Sequence, residues 1–193
     1  YSIGQYYYKT DGIRENNDQR YEIYNGYVQG MVSPKTSWMF ELRYDEDEYG
    51  DLTMVIDPAV YGYSPTLRQS FEERSARAGF RHDFRSHSTL VGTVALGSGT
   101  SDITGWEGIE IFTDDGSIIG ELQHLYNSEK FSLRSGAGYF YLDGDEKVVF
   151  TDPFPFEAEE EFESKHGNIY AYGQFELPYE FTATVGLSGD LVE

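Results

Sequence analysis

Charged residues recur at alternate positions along extended-looking stretches of this chain: Glu41, Arg43, Arg77, Arg81, Asp83, Glu121, Arg134 and Glu176. Side chains of a strand point alternately to its two sides, so such a row gathers on one face. Facing a water-filled lumen, these groups would pair across strands and bias which ions or solutes pass. On a soluble sheet they would be an ordinary solvated face. Glu41, Arg43, Arg77, Arg81, Glu121 and Arg134 are the pore-lining candidates. Because Arg supplies most of the strand bases while acids crowd elsewhere, the middle of such a pore would be locally cationic.

Other chemistry finds less support. The acid clusters Asp45-Glu46-Asp47-Glu48, Asp143-Gly144-Asp145-Glu146 and Glu157 through Glu163 offer the hard oxygens that divalent cations prefer. Asp143-Gly144-Asp145-Glu146 lacks the full twelve-residue calcium loop, and the charge runs read as solvated loop charges, so no metal and no cofactor is expected. His82, His87, His124 and His166 show no Ser–His–acid grouping, although a triad need not be local in sequence. No catalytic residue is assigned and no enzyme is expected. The absence of cysteine excludes disulfides and thiolate chemistry.

Composition narrows the class further. The 193 residues carry a net charge of −20, from 34 acids against 14 bases, which argues against nucleic acid as a partner. Aromatics reach 17%, with 17 Tyr and 13 Phe, too many for a disordered chain. No apolar run approaches the roughly 18 residues of a membrane-spanning helix, which leaves the β-barrel as the membrane option. No signal peptide precedes Tyr1, and strand-like sequence begins at once. The chain therefore reads as one excised segment, 1–193, incomplete at both ends.

The elements that must position the charges follow period two. Trp38, Phe40, Leu42 and Tyr44 alternate with Met39, Glu41, Arg43 and Asp45. The same alternation runs through Ala76–Phe84, Leu90–Leu96, Ile118–Tyr126, Leu133–Tyr141, Ile169–Phe175 and Phe181–Leu187. With Tyr1–Thr10 and Gln19–Val32 this predicts about nine strands of roughly 9–14 residues, where soluble strands have about five or six. Short turns at Ser33–Thr36, Arg85–Ser88, Asn127–Lys130 and Leu177–Glu180 take turns with long connections at Asp11–Asp18, Asp45–Ser70, Gly97–Ser117 and Leu142–Gly167. An antiparallel meander would put all the short turns on one rim and all the long connections on the other, as outer-membrane barrels do. Trp38, Phe84, Tyr126, Phe131, Phe175 and Phe181 lie near short turns, and Tyr44 and Tyr141 near the long connections. Two such levels match the aromatic girdles at two membrane interfaces.

The stretches Leu67–Phe84, Glu121–Leu133 and Asn168–Tyr179 resemble the porin-like tails of bacterial outer-membrane proteins, in which tetratricopeptide repeats often precede the barrel. The resemblance covers about the last two-thirds of the chain, and its motifs are structural ones, strand–turn–strand. It implies a bacterial outer-membrane location, outer-membrane lipid as a partner, and an upstream repeat domain in the parent chain. It departs from the pattern at Leu191-Val192-Glu193, where barrels commonly finish on an aromatic.

The expected fold is therefore all-β, an antiparallel up-and-down meander of about 8–9 long strands forming part of a transmembrane β-barrel. The expected role is porin-like passive passage of small solutes, or anchoring of an upstream domain. The rival is a soluble or secreted β-sheet module that binds glycans through exposed aromatics.

Overall fold

A computed structural model describes residues 1–53, 64–151 and 155–193. Nine strands follow one another: β1 (Ser2–Thr10), β2 (Gln19–Ser33), β3 (Thr36–Tyr49), β4 (Arg68–Arg85), β5 (Ser88–Trp106), β6 (Ile109–Asn127), β7 (Phe131–Phe150), β8 (Phe156–Glu176) and β9 (Thr182–Val192). They form a single sheet in the order β1 to β9, every neighbouring pair antiparallel. Among the described residues the one helical element is the single turn Pro178–Glu180 between β8 and β9. The fold is the expected all-β meander.

Three expectations need correction. The strands reach 21 residues in β8, and the acid clusters lie on strands rather than in loops. Asp45–Glu48 belongs to β3, Asp143–Glu146 to β7 and Glu157–Glu163 to β8. The connection expected across Gly97–Ser117 is a two-residue turn, Glu107-Gly108, with φ of 48° and 80°. Both positive angles suit the tight hairpin turn whose twist matches its strands, and Gly accepts its share without cost. Residues 54–63 and 152–154, within two of the expected long connections, lie outside the described residues. Two of the expected long connections remain long, 11–18 and 50–67, and all four join their strands at the rim opposite the short turns.

Register sorts the side chains. Val28, Phe40, Ala78, Val94, Gly120, Tyr139, Gly167 and Leu191 form one continuous row from β2 to β9. The same face carries Trp38, Leu42, Phe80, Leu90, Leu122, Leu133, Ile169, Phe175, Ala183 and Val185. No apolar side chain among the described residues is buried, and Leu96 and Ile169 are 51% and 67% exposed. A single layer leaving so broad an apolar face open is not stable against water; something apolar must cover it.

That face changes character along the strands. Above Tyr44 the row Glu22, Glu46, Glu72, Thr100, Asp114, Asp145 and Glu161 runs across seven strands. Like charges directly opposite one another destabilise a sheet and are tolerable only where water and counter-ions screen them. The apolar band therefore ends near Tyr44, and the upper parts of the long strands present a face suited to water. The other face gains apolar residues above, Tyr49, Phe71, Ile103, Ile111 and Val148, among acids such as Asp47, Glu73 and Glu146.

Val94 sits in the middle of the apolar band, and Thr93 points to the other side. In the full-length protein folded in lipid, Val94→Arg should cost about 2–4 kcal/mol and Thr93→Arg far less. Reversible unfolding from bilayers measures both, and equal costs would contradict the assignment of faces.

Candidate functional site

The face opposite the apolar band is the candidate site, because there the strands bring polar side chains into reach of one another. All six pore-lining candidates lie on it: Glu41 and Arg43 on β3, Arg77 and Arg81 on β4, Glu121 on β6 and Arg134 on β7. Glu41 stands directly opposite Arg77, and the two form an ion pair. Arg43 holds Asp45, two residues along its own strand, through Nε at 2.6 Å and a second nitrogen at 2.8 Å. Arg81 reaches Asp83 in the same way at 3.2 Å, and the Thr89 hydroxyl donates to that carboxylate at 2.6 Å.

This corrects the expected cationic patch. Three of its four arginines are matched by carboxylates on the same face: Arg43 and Arg81 by the residue two along, which shares their side, and Arg77 by Glu41 on the neighbouring strand. Arg134 belongs to the face but not to the cluster: it stands opposite Leu125 and Tyr172, three strands from β4. At about 4.8 Å per strand that is roughly 14 Å from the other arginines. The local wall is charge-balanced rather than positive.

Glu121 finds a partner that sequence reasoning missed. The Tyr170 hydroxyl crosses the intervening strand to donate to Glu121 at 2.5 Å, and it accepts from Gln123 Nε2 at 2.8 Å. Gly136 makes the crossing possible. A Cβ there would meet the Tyr170 hydroxyl at 2.6 Å and the Leu122 carbonyl oxygen at 2.7 Å. The signal was a glycine on β7 aligned with a tyrosine on β8, which has meaning only once the register is known. The face is not polar throughout: Ala95, Ile119 and Phe140 form an apolar row beside these groups.

The interface candidates belong to the apolar face. Trp38, Tyr44, Tyr126, Phe131, Tyr141 and Phe175 are strand residues of it, Phe84 falls at a register shift in β4, and Phe181 just precedes β9. Phe131 packs on Phe175 at 4.8 Å and on Tyr126 at 6.2 Å, forming a chain of rings beside the short turns. At the other level Tyr44 donates its hydroxyl between Glu46 and Glu72, both at 3.1 Å. Tyr24, absent from the sequence expectation, repeats this towards Glu22 at 2.7 Å. Rings in the apolar band with hydroxyls on the first carboxylate row are the arrangement an interfacial tyrosine needs.

At the long-strand rim a polar knot ties connections together around Asp51, which is 5% exposed. Its two carboxylate oxygens accept from the Thr53 N–H at 2.8 Å and the Ser64 N–H at 2.7 Å, with Arg14 at 3.4 Å. Asn16 donates to the carbonyls of Ser64 and Leu67, both at 2.8 Å. Burial opposes the Asp51 charge, but the Thr53 hydroxyl, these N–H groups and Arg14 outweigh it and hold the carboxyl at about 2, below the usual 3.8. Among the described residues no three carboxylate or imidazole side chains are arranged to hold a metal.

The sequence matches no family model, and no curated protein matches it. Solved structures do resemble it. BauA, the ferric preacinetobactin receptor from Acinetobacter baumannii, superposes with a TM-score of 0.73 at 9% identity, over 98% of this chain and 36% of that one. The unliganded ferric citrate transporter FecA gives 0.64 at 13% identity, over 97% and 32%. The chain thus spans about a third of the length of each. The likeness is one of fold: a run of antiparallel strands like those in the walls of outer-membrane β-barrels.

The depressed Asp51 carboxyl contributes stability to the rim that is fully present above about pH 4 and lost as the pH falls towards 2. Hydrogen exchange should show the Thr53 and Ser64 amides losing protection through that interval while mid-strand amides keep theirs. Asp51→Ala should remove the same two protections at neutral pH.

Proposed function

We propose that this chain is part of the wall of a β-barrel in the bacterial outer membrane, with lipid on its apolar face and small solutes passing along its polar one. The observation that carries the reading is the open apolar band bounded by interfacial tyrosines, with rows of carboxylates immediately beyond. Water cannot cover such a band, and lipid cannot cover the rows above it. The sheet's ends agree: β1 and β9 each have one neighbour in the sheet. In hydrocarbon an unpaired edge is costly, so further strands must close the wall.

Passage is the finer part of the proposal. The similar barrels are, by name, a receptor and a transporter of ferric chelates, which makes solute traffic a natural role for a wall of this fold. Its charge-balanced polar face suits small polar or charged solutes, which would meet ion pairs rather than one fixed sign. The rival soluble glycan-binding sheet would need a second layer over the apolar face, and none of the described residues supplies one.

Planar-bilayer recordings of the full-length protein test the proposal. Replacing Arg77 and Arg81 with Ser leaves Glu41 and Asp83 without their cations, so ion preference should shift towards cations. The shift should shrink as salt rises, because the Debye length falls from about 10 Å at 0.1 M to about 3 Å at 1 M. Conductance indifferent to both substitutions would make these charges filler. A full-length protein that inserts but never conducts would instead be an anchor for an upstream domain, the role implied by the resemblance to repeat-bearing proteins.

A further inference from the structure

With 34 acids for 14 bases, any lysine or arginine here has ample chance of a partner. Nine of the fourteen have one. Among the described residues Lys9, Lys35, Arg85, Lys130 and Arg134 make no ion pair. Three of these five, Lys35, Arg85 and Lys130, sit in the first three short turns and are exposed.

The turns hold them in a regular frame. The carbonyl of Lys35 accepts from the Asp83 N–H at 2.7 Å, that of His87 from Asn127 at 2.8 Å, and that of Lys130 from Glu176 at 3.0 Å. Each turn is therefore tied by its own backbone to the strand beyond it, and successive turns lie two strands, about 10 Å, apart. Each base also adjoins an aromatic of the lower girdle: Lys35 shortly before Trp38, Arg85 after Phe84, Lys130 before Phe131. The nearest acids do not cancel the row. Asp83 is engaged by Arg81 and Thr89. Glu129 shares the third turn, and Glu176 and Glu180 flank the fourth, so the positive stretch is centred on the first two.

We propose that this rim docks the phosphate headgroups of anionic phospholipids in the leaflet that the short turns face, through Lys35, Arg85 and Lys130. The inference rests on the membrane reading above and adds a lipid class to it. Interfacial rings mark the level where hydrocarbon ends, and a base one to three residues further out lies at headgroup depth. An intramolecular carboxylate at that depth would compete with lipid phosphate; the three bases of this rim make no ion pair, while nine of the eleven bases elsewhere do.

The full-length protein, reconstituted in phosphatidylethanolamine vesicles with and without phosphatidylglycerol and then extracted, should retain phosphatidylglycerol well above its bulk fraction by native mass spectrometry. Substituting Lys35, Arg85 and Lys130 together with Gln should return the retained lipid to the bulk ratio, at about fivefold per base. Lys9→Gln, at the opposite rim, should change nothing. Should the triple variant fail to fold, the single substitutions, each checked for heat-modifiable migration, read the same effect in steps. A protein that inserts yet retains lipid at the bulk ratio overturns this proposal alone, as does a preference that survives the triple substitution. Capture of an acidic protein by these bases without any lipid preference overturns it too. Failure to insert into either vesicle overturns the membrane reading and this proposal with it.

Discussion

In hydrocarbon no water is present to hydrogen-bond a peptide group, so each N–H and C=O must find its partner in the protein. In the proposed membrane wall, the other features of this chain follow from that one constraint. A strand satisfies it only through neighbours on both sides, which favours long antiparallel strands joined in sequence and excludes irregular backbone within the band. The register runs from β1 to β9 with shifts confined to hairpin ends, in β2, β4 and β5. Each such shift lies beside a turn, where water can make up a missing bond.

Once the ladder is fixed, side chains have only two directions, and the solvent on each side decides what they are. Below Tyr44 one face is Val, Leu, Phe and Gly, while the other carries Glu41–Arg77, Arg43–Asp45 and the Tyr170–Glu121–Gln123 group. Above it the first face turns to carboxylates, and the second mixes Tyr49, Phe71 and Ile111 with acids such as Asp47 and Glu73. A strand like β7, at about 3.3 Å per residue, is roughly twice as long as a tilted membrane crossing needs. In the proposed wall the upper half therefore answers to water on the side where the lower half answers to lipid.

How much of this was legible in the sequence depended on which solvent a segment faces. Trp38 to Tyr44 alternates cleanly because its two sides, lipid-facing and water-facing in the proposed wall, make opposite demands. Asp45 to Glu48 lost the alternation because above the band both sides tolerate charge, so β3 appeared to end early. Glu107-Gly108 went unrecognised because the usual tight-hairpin signal is Asn or Asp before Gly. At the candidate site, face membership was readable from parity alone, and so in principle was Arg43–Asp45, two residues apart. Glu41–Arg77 needed the β3–β4 register, and Tyr170–Glu121 needed two registers and the gap at Gly136. The Asp51 knot joins residues far apart in sequence and had no local signature.

The central claim is that one solvent boundary crosses this sheet and that its lower apolar face lies in lipid. Spin labels placed singly at consecutive positions from Leu90 to Ile103 on β5 of the full-length protein in bilayers test it most directly, because they sample both faces and both levels of one strand. Collision with oxygen, which concentrates in lipid, should peak at Leu90, Val94 and Leu96, and collision with a water-soluble nickel chelate at Val91, Thr93 and Ala95. The oxygen maxima should stop at Ser98, above which even-numbered positions become open to the chelate. Even-numbered labels shielded from both reagents throughout would mean a dry protein interior, and the account of a membrane wall would be wrong.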